Sequence, residues 1–235
     1  FIQETQPAEW TKFRKWHNGD AEKMLAKRVA EQLDRWGTLH LLRKGFKDRD
    51  AKFFLCQFMP ANRKNAQLWD WYGRNRLTVI RQLHYSVHNE NSIDLVLFVN
   101  GLPVATAELK TDLTQNIADA LAQYRKDRPP KDPKSREPEP LRQFKNRAIV
   151  HFAVSTDEVW MTTRLEGDAT TFLPFNLGKP DGFGGAGAGN PPAPADKGYP
   201  TWYLWETVWS RNVWLDILGS FLHLERKEVE TDGKT

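Results

Sequence analysis

A chain of 235 residues and 27.2 kDa has room for one sizeable domain or for a domain with a helical appendage. Its 40% hydrophobic and 27% charged residues exclude a disordered chain, and no apolar run is long enough to cross a membrane. A net charge of +4 permits nucleic acid as a partner without requiring it, and the single cysteine, Cys56, excludes an internal disulfide framework.

That cysteine usage, with no secretory signal at the N-terminus, makes the cytoplasm the expected location. The chain begins at Phe1 rather than Met and stops at Asp232-Gly233-Lys234-Thr235, as a piece of a longer protein would. An N-terminal helical region is expected over residues 1–50. Within it, Met24, Leu25, Val29, Leu33 and Trp36 fall at helical spacing over 20–36, with Gly37 as the stop. Strand patterns follow at 52–58, 77–87, 92–99 and 102–110, and Cys56 reads as a core residue in the first of them. Residues 112–125 read as a helix with Asp112 or Thr114 as its cap and Ile117, Leu121 and Tyr124 on one face, ended by Pro129-Pro130. From Arg125 to Arg147 there are nine Lys/Arg against four acids, and two more strands follow at 148–154 and 158–164. The core is therefore expected over 51–176 as an α/β layer on a mixed sheet flanked by helices.

Residues 177–200 are rich in Gly and Pro and read as a long irregular loop. Gly182, Gly184 and Gly187 formally match a dinucleotide-binding fingerprint, but Pro180 before them and Pro191-Pro192 after exclude the strand and helix that it needs. Gly233-Lys234-Thr235 lacks the upstream glycine of a P-loop, so no ATP site is read here. Residues 201–235 form a tryptophan-rich tail, with Trp202, Trp205, Trp209 and Trp214 on short helices that cover the sheet or present a docking surface.

The chemistry gathers between Ser92 and Arg128. Asp94 interrupts an apolar strand, Asn100-Gly101 turns the chain, and a second strand ends in Glu108-Leu109-Lys110. A plain two-residue turn pairs Val99 with Leu102 and throws Asp94 and Glu108 onto opposite faces. An odd loop or a bulge gathers Asp94, Glu108 and Lys110 on one face, with neighbouring positions roughly 4.5–8 Å apart. We therefore expect an odd loop or a bulge. Two carboxylates with the backbone carbonyl of Leu109 suit Mg²⁺, and Lys110 suits the task of orienting a water and offsetting negative charge on a phosphodiester. A salt bridge at a sheet edge uses the same residues.

The resemblance extends beyond this triad. Asn75-Arg76-Leu77-Thr78-Val79, Arg81-Gln82, His84-Tyr85, Ile93 to Pro103, Glu108-Leu109-Lys110, Gln123 to Arg128, Thr162-Thr163-Arg164-Leu165, Phe172 to Asn176 and Tyr203-Leu204-Trp205-Glu206 carry it. Over roughly residues 30–225 the chain resembles the nuclease domain of the restriction (R) subunit of type I restriction-modification enzymes, within the PD-(D/E)XK superfamily. The resemblance implies a restriction-endonuclease-like core with a helical C-terminal appendage, and Asp94, Glu108 and Lys110 as its catalytic set. It implies Mg²⁺ as cofactor, with ATP used only by a downstream motor domain. It implies double-stranded DNA and the methyltransferase (M) and specificity (S) subunits as partners. Gln123, Tyr124, Arg125 and Arg128 become candidates for DNA contact, although Ala120 stands where relatives often carry Gln. Glu31 or Glu22 becomes a candidate for the first-helix glutamate that reaches the metal. The alternatives are a non-catalytic DNA-holding or subunit-docking module, or a repair nuclease of the same superfamily.

Overall fold

The computed structural model describes residues 1–17, 19–111, 116–180 and 186–224. Four helices come first: α1 (Ile2–Thr5), α2 (Pro7–Trp16), α3 (Ala21–Trp36) and α4 (Thr38–Lys44). In α3, Met24, Leu25, Val29 and Leu33 form the inward stripe, as their spacing predicts, and Gly37 ends the helix at φ 84°. That glycine is required, because a Cβ there would meet the carbonyl oxygen of Lys145 at 2.7 Å.

A short ribbon of β1 (Phe46–Asp48) and β2 (Ala51–Phe53) replaces the longer strand expected over 52–58. The extended chain beyond it is bonded by side-chain amides instead of a neighbouring strand. Gln6 accepts from the Phe54 N–H and donates to its carbonyl, both at 2.8 Å, Asn100 Nδ2 donates to the Leu55 carbonyl at 2.8 Å, and Asn75 donates to that of Gln57 at 2.6 Å. Cys56 is buried there, as expected.

After α5 (Ala66–Gly73), the main sheet contains β3 (Leu77–His84), β4 (Ser92–Val99), β5 (Leu102–Leu109), β6 (Val150–Val154), β7 (Val159–Thr162) and β8 (Leu173–Pro174), in that spatial order. Only β5 and β6 run parallel, and α6 (Ile117–Ala122) lies in the connection between them. The cap expected at Asp112 or Thr114 falls outside the described residues. Asn116 caps α6 through a reciprocal box with Asp119. A π-helical turn, Gln123–Asp127, continues the helix.

The alternation of the strands divides the core into two clusters. Leu95, Leu97, Val99, Ala105, Ala107, Val150, Phe152 and Val154 pack with Phe13, Leu33, Leu41, Leu42 and Tyr72 from the helices. The C-terminal segment joins this cluster. A π-helical turn at Leu204–Val208, α7 (Arg211–Asp216) and a second π-helical turn at Ile217–Phe221 bury Leu204, Trp214, Leu215 and Leu218 against it. The tail therefore covers the sheet, the first of its two expected roles. Val96, Ala153, Ala120, Tyr124, Leu141 and Phe172 form the second cluster, under α6. In the Gly/Pro-rich loop a two-residue ladder joins β9 (Lys179–Pro180) to β10 (Ala186–Gly187). Among the described residues, no helix is long and apolar enough to cross a membrane.

Candidate active site

Asn100 and Gly101 both have positive φ, 51° and 84°, and form the two-residue turn that an Asn-Gly pair favours. Val99 pairs with Leu102 and Phe98 with Pro103, but Leu97 pairs with Ala105. Val104 is thus the extra residue of a bulge in β5. Beyond it Val96 faces Thr106 and Leu95 faces Ala107, so continuing the register sets Asp94 across from Glu108. The register correction expected from the sequence lies in the strand, and the loop keeps its regular length.

Asp94 is held at both oxygens. Gln82 Nε2 donates to Oδ1 at 2.7 Å and the Leu109 N–H donates to Oδ2 at 2.8 Å. Gln82 takes φ 49° to do so, an uncommon conformation for a residue with a side chain. Glu108 is 0% exposed. Its Oε1 accepts from Arg128 Nε at 3.2 Å, while its Oε2 is buried with no hydrogen-bond partner. Burial, then the charge of Asp94, pushes the Glu108 carboxyl up to about 8, against the opposing pull of Arg128 and Lys110. Lys110 is half-buried at the strand end, and its N–H donates to the Val154 carbonyl at 2.8 Å. No acid among the described residues lies within ion-pair distance of its ammonium group.

Two acidic groups share one site, Glu108 buried and Asp94 half-buried, and an oxygen of Glu108 lacks any donor. A divalent cation fits that chemistry, because it supplies the charge that the carboxylates need to stay ionised together. Among the described residues, no third His, Cys, Asp or Glu joins them. A third protein oxygen would come from the backbone of Leu109. Its N–H already points at Asp94, and in an extended strand the carbonyl of the same residue projects to the same side.

The family model for the type I restriction enzyme R protein N terminus (HSDR_N) matches residues 3–170. The chain belongs to this family. No curated protein and no solved structure is significantly similar to it.

In this R-protein N-terminal region the four candidates for DNA contact separate. Tyr124 is a correction: it is fully buried, and its hydroxyl shares a 2.8 Å hydrogen bond with Thr106 Oγ1, which in turn lies 2.8 Å from His151 Nδ1. Burial raises the phenol well above its usual range and lowers His151 to about 3, so both stay neutral in the core. Arg125 donates through Nε and Nη2 to the Thr170 carbonyl, each at 3.2 Å, and lies over the Phe172 ring. Gln123 buries its side-chain oxygen without a partner. Arg128 turns inward to Glu108.

The first-helix glutamates are a second correction. Glu31 pairs with Arg28 at 2.8 Å and Glu22 accepts from Gln3 at 3.0 Å, both on α3. That helix packs on the sheet cluster opposite to the face bearing the acid pair, so neither residue reaches it.

Sequence reasoning missed the buried polar group behind the site. Arg142, read as part of a basic loop, is 1% exposed, lies 4.2 Å over the Tyr85 ring and leaves Nε and Nη1 unpartnered. Burial draws its pKa down to about 10. Glu139 is also buried and accepts from Ser86 Oγ at 2.6 Å. Arg147 pairs with Asp34. Of the basic run, Lys126, Lys131, Lys134, Arg136 and Lys145 remain exposed. A proline-broken basic stretch carries no sequence signal that separates buried cations from exposed ones.

Proposed function

We propose that this region is a Mg²⁺-dependent endonuclease module with a PD-(D/E)XK-type core that hydrolyses DNA phosphodiester bonds. The observation that carries the reading is the Val104 bulge, which sets Asp94 across from Glu108 while Glu108 Oε2 stays buried and unpartnered. Asp94, Glu108 and the Leu109 carbonyl are the residues that would hold the ion. When bound, Mg²⁺ supplies Lewis acidity and lowers the pKa of a water. Gln82 and the Leu109 N–H fix the orientation of Asp94, and Arg128 fixes that of Glu108. Lys110, with no ion partner among the described residues, would orient the attacking water and offset charge on the phosphate.

Membership of the R-protein family supports the wider setting. In the full protein, cleavage would be coupled to ATP-driven translocation by a downstream motor. The complex would include DNA and the methyltransferase and specificity subunits. The described residues of the site offer carboxylates and cations suited to the phosphate backbone, so target choice would come from those partners. One observation favours the rival reading of a non-catalytic module: Arg128 already neutralises Glu108 in part, as a structural ion pair would.

The test is Mg²⁺-dependent nicking of supercoiled plasmid by the chain, and by the full complex, with Asp94→Ala and Lys110→Ala in each. Loss of cleavage by both folded variants in the complex supports the assignment. Cleavage by the variant complexes would make the acid pair structural.

A further inference from the structure

A second groove, of about 820 Å³, lies away from the acid pair. Its walls are Trp36, α4, the segment from Phe144 to Ile149, Thr163-Arg164 at the end of β7, and Leu222 to Leu224. Ile149 immediately precedes β6, whereas Glu108 pairs alongside Ala153, so the groove opens about 13 Å along that strand from the acids. Its helix α4 packs on the sheet cluster that the acid pair does not face.

The groove has the chemistry of a nucleic-acid site. Arg43, Lys44, Lys145 and Arg164 line it with His40 and His223, and among the described residues no Asp or Glu does. Glu166, the one acid among the described residues bonded to this set, pairs with Arg164 at 2.8 Å in an exposed and therefore readily exchanged contact. Trp36 and Phe144 are 41% and 42% exposed, unusual for rings of that size beside lysines. They already accept planar partners: His40 stacks on Trp36 at 5.3 Å, and the Arg35 and Arg164 guanidinium groups lie over Trp36 and Phe144 at 4.9 and 5.4 Å. Arg35 and Arg164 sit on the surface, so a base can take the place of either.

The walls are also fixed to one another. The Thr38 N–H donates to the Lys145 carbonyl at 2.9 Å, and its hydroxyl donates to that of Asn146 at 3.0 Å. Arg43 joins the far wall by donating to the carbonyls of Leu218 and Leu222, each at 2.8 Å. Lys145 itself is held at φ 64°, a conformation that costs free energy and here projects a cation at the groove mouth.

We infer that this groove binds a single DNA strand, with Lys44, Lys145 and Arg164 on its phosphates and Trp36 and Phe144 stacking on its bases. Stacking selects a single strand because a duplex keeps its base faces covered. The site goes beyond the nuclease reading and does not depend on it.

The test is fluorescence anisotropy of a labelled oligothymidine of 20 nucleotides and of a mixed-sequence 20-base-pair duplex. The background is the Asp94→Ala chain without Mg²⁺, so that cleavage plays no part. Lys44→Glu combined with Lys145→Glu is expected to weaken single-strand binding at least about tenfold and to flatten its salt dependence. Trp36→Ala with Phe144→Ala is expected to weaken the single strand by about tenfold and the duplex by much less. Circular dichroism and thermal melting confirm that each variant is folded. Unchanged oligothymidine affinity in the folded charge-reversal variant overturns the proposal, and so does an equal loss for both ligands in the aromatic variant. If the charge reversal itself does not fold, Lys44→Gln with Lys145→Gln carries the same prediction at a smaller amplitude.

Discussion

Arg128 Nε donates to Glu108 Oε1 at 3.2 Å, from the residue that follows the π-helical turn to the end of β5. The Arg128 side chain is mostly withdrawn from water, 11% exposed against 1% for the acid. It is the cation that opposes protonation of Glu108 most strongly, ahead of Lys110. A metal must compete with the proton for that carboxylate, so Arg128 governs how readily the ion enters.

The first prediction follows from that contact. Arg128→Ala is expected to raise the Mg²⁺ concentration needed for half-maximal nicking by about tenfold or more, the usual cost of losing a partner behind a metal ligand. Arg128→Lys keeps the charge but not the planar donor geometry and should fall between the two. A Mg²⁺ titration of plasmid nicking measures this. An unchanged midpoint in Arg128→Ala would remove the residue from the site.

The second concerns pH. The folded, metal-free protein holds Glu108 at about 8, above its ordinary value of 4.5, so between these values the native state binds a proton that the unfolded chain has released. The stabilisation is complete below about 4.5 and is lost as pH rises through 8. Thermal melts in EDTA should therefore show a melting temperature that falls over this window, more steeply than in Glu108→Gln. Added Mg²⁺ should restore the wild-type value at pH 8. Parallel curves for wild type and Glu108→Gln would contradict the assignment of the proton to this carboxyl.

The third tests the Tyr124–Thr106–His151 chain. Thr106→Val leaves a buried phenol and a buried imidazole nitrogen unpaired and is expected to cost about 2–4 kcal/mol in urea unfolding. Tyr124→Phe removes one hydroxyl and should cost about 1 kcal/mol. His151 contributes to the acid limb with the opposite sign to Glu108. Its folded value near 3 lies below the ordinary 6.5, so stability falls as pH drops from 6.5 towards 3. Replacing it with Asn should flatten that limb.

The fourth compares two tryptophans of the tail. Trp214 is buried and packs on Phe152 with ring centroids 6.3 Å apart, while Trp205 is exposed and rests edge-on against Trp209. Trp214→Ala is expected to destabilise the fold by about 3–5 kcal/mol, and Trp205→Ala by less than about 1 kcal/mol. Equal losses would show that both rings are core.

What the sequence revealed tracks how local the determining physics is. The strands Ser92–Val99 and Leu102–Leu109 fall where apolar runs and the Asn-Gly turn place them, because turn chemistry and alternation act over a few residues. The need for a bulge was also legible, since Asp94 and Glu108 could not otherwise share a face. Its position at Val104 was not, as any residue between Leu102 and Glu108 satisfies the same parity. The end of the strand expected over 52–58 depends on Gln6 and Asn100, 48 and 45 residues from their partners Phe54 and Leu55, and no window of sequence contains that substitution. The burial of Tyr124 was legible in its helical spacing with Ile117 and Leu121, whereas Arg142 has the composition of a surface contact and only tertiary packing makes it core.

The tie from Arg43 to the carbonyls of Leu218 and Leu222 spans 175 and 179 residues. On a translating ribosome the N-terminal helices wait for these acceptors while the intervening chain is made, roughly 10–35 s at ordinary elongation rates. Through that interval the apolar surface that Leu204, Trp214 and Leu218 later cover stays open. This region therefore completes its core only once the segment from Leu204 to Leu222 has emerged to cover it.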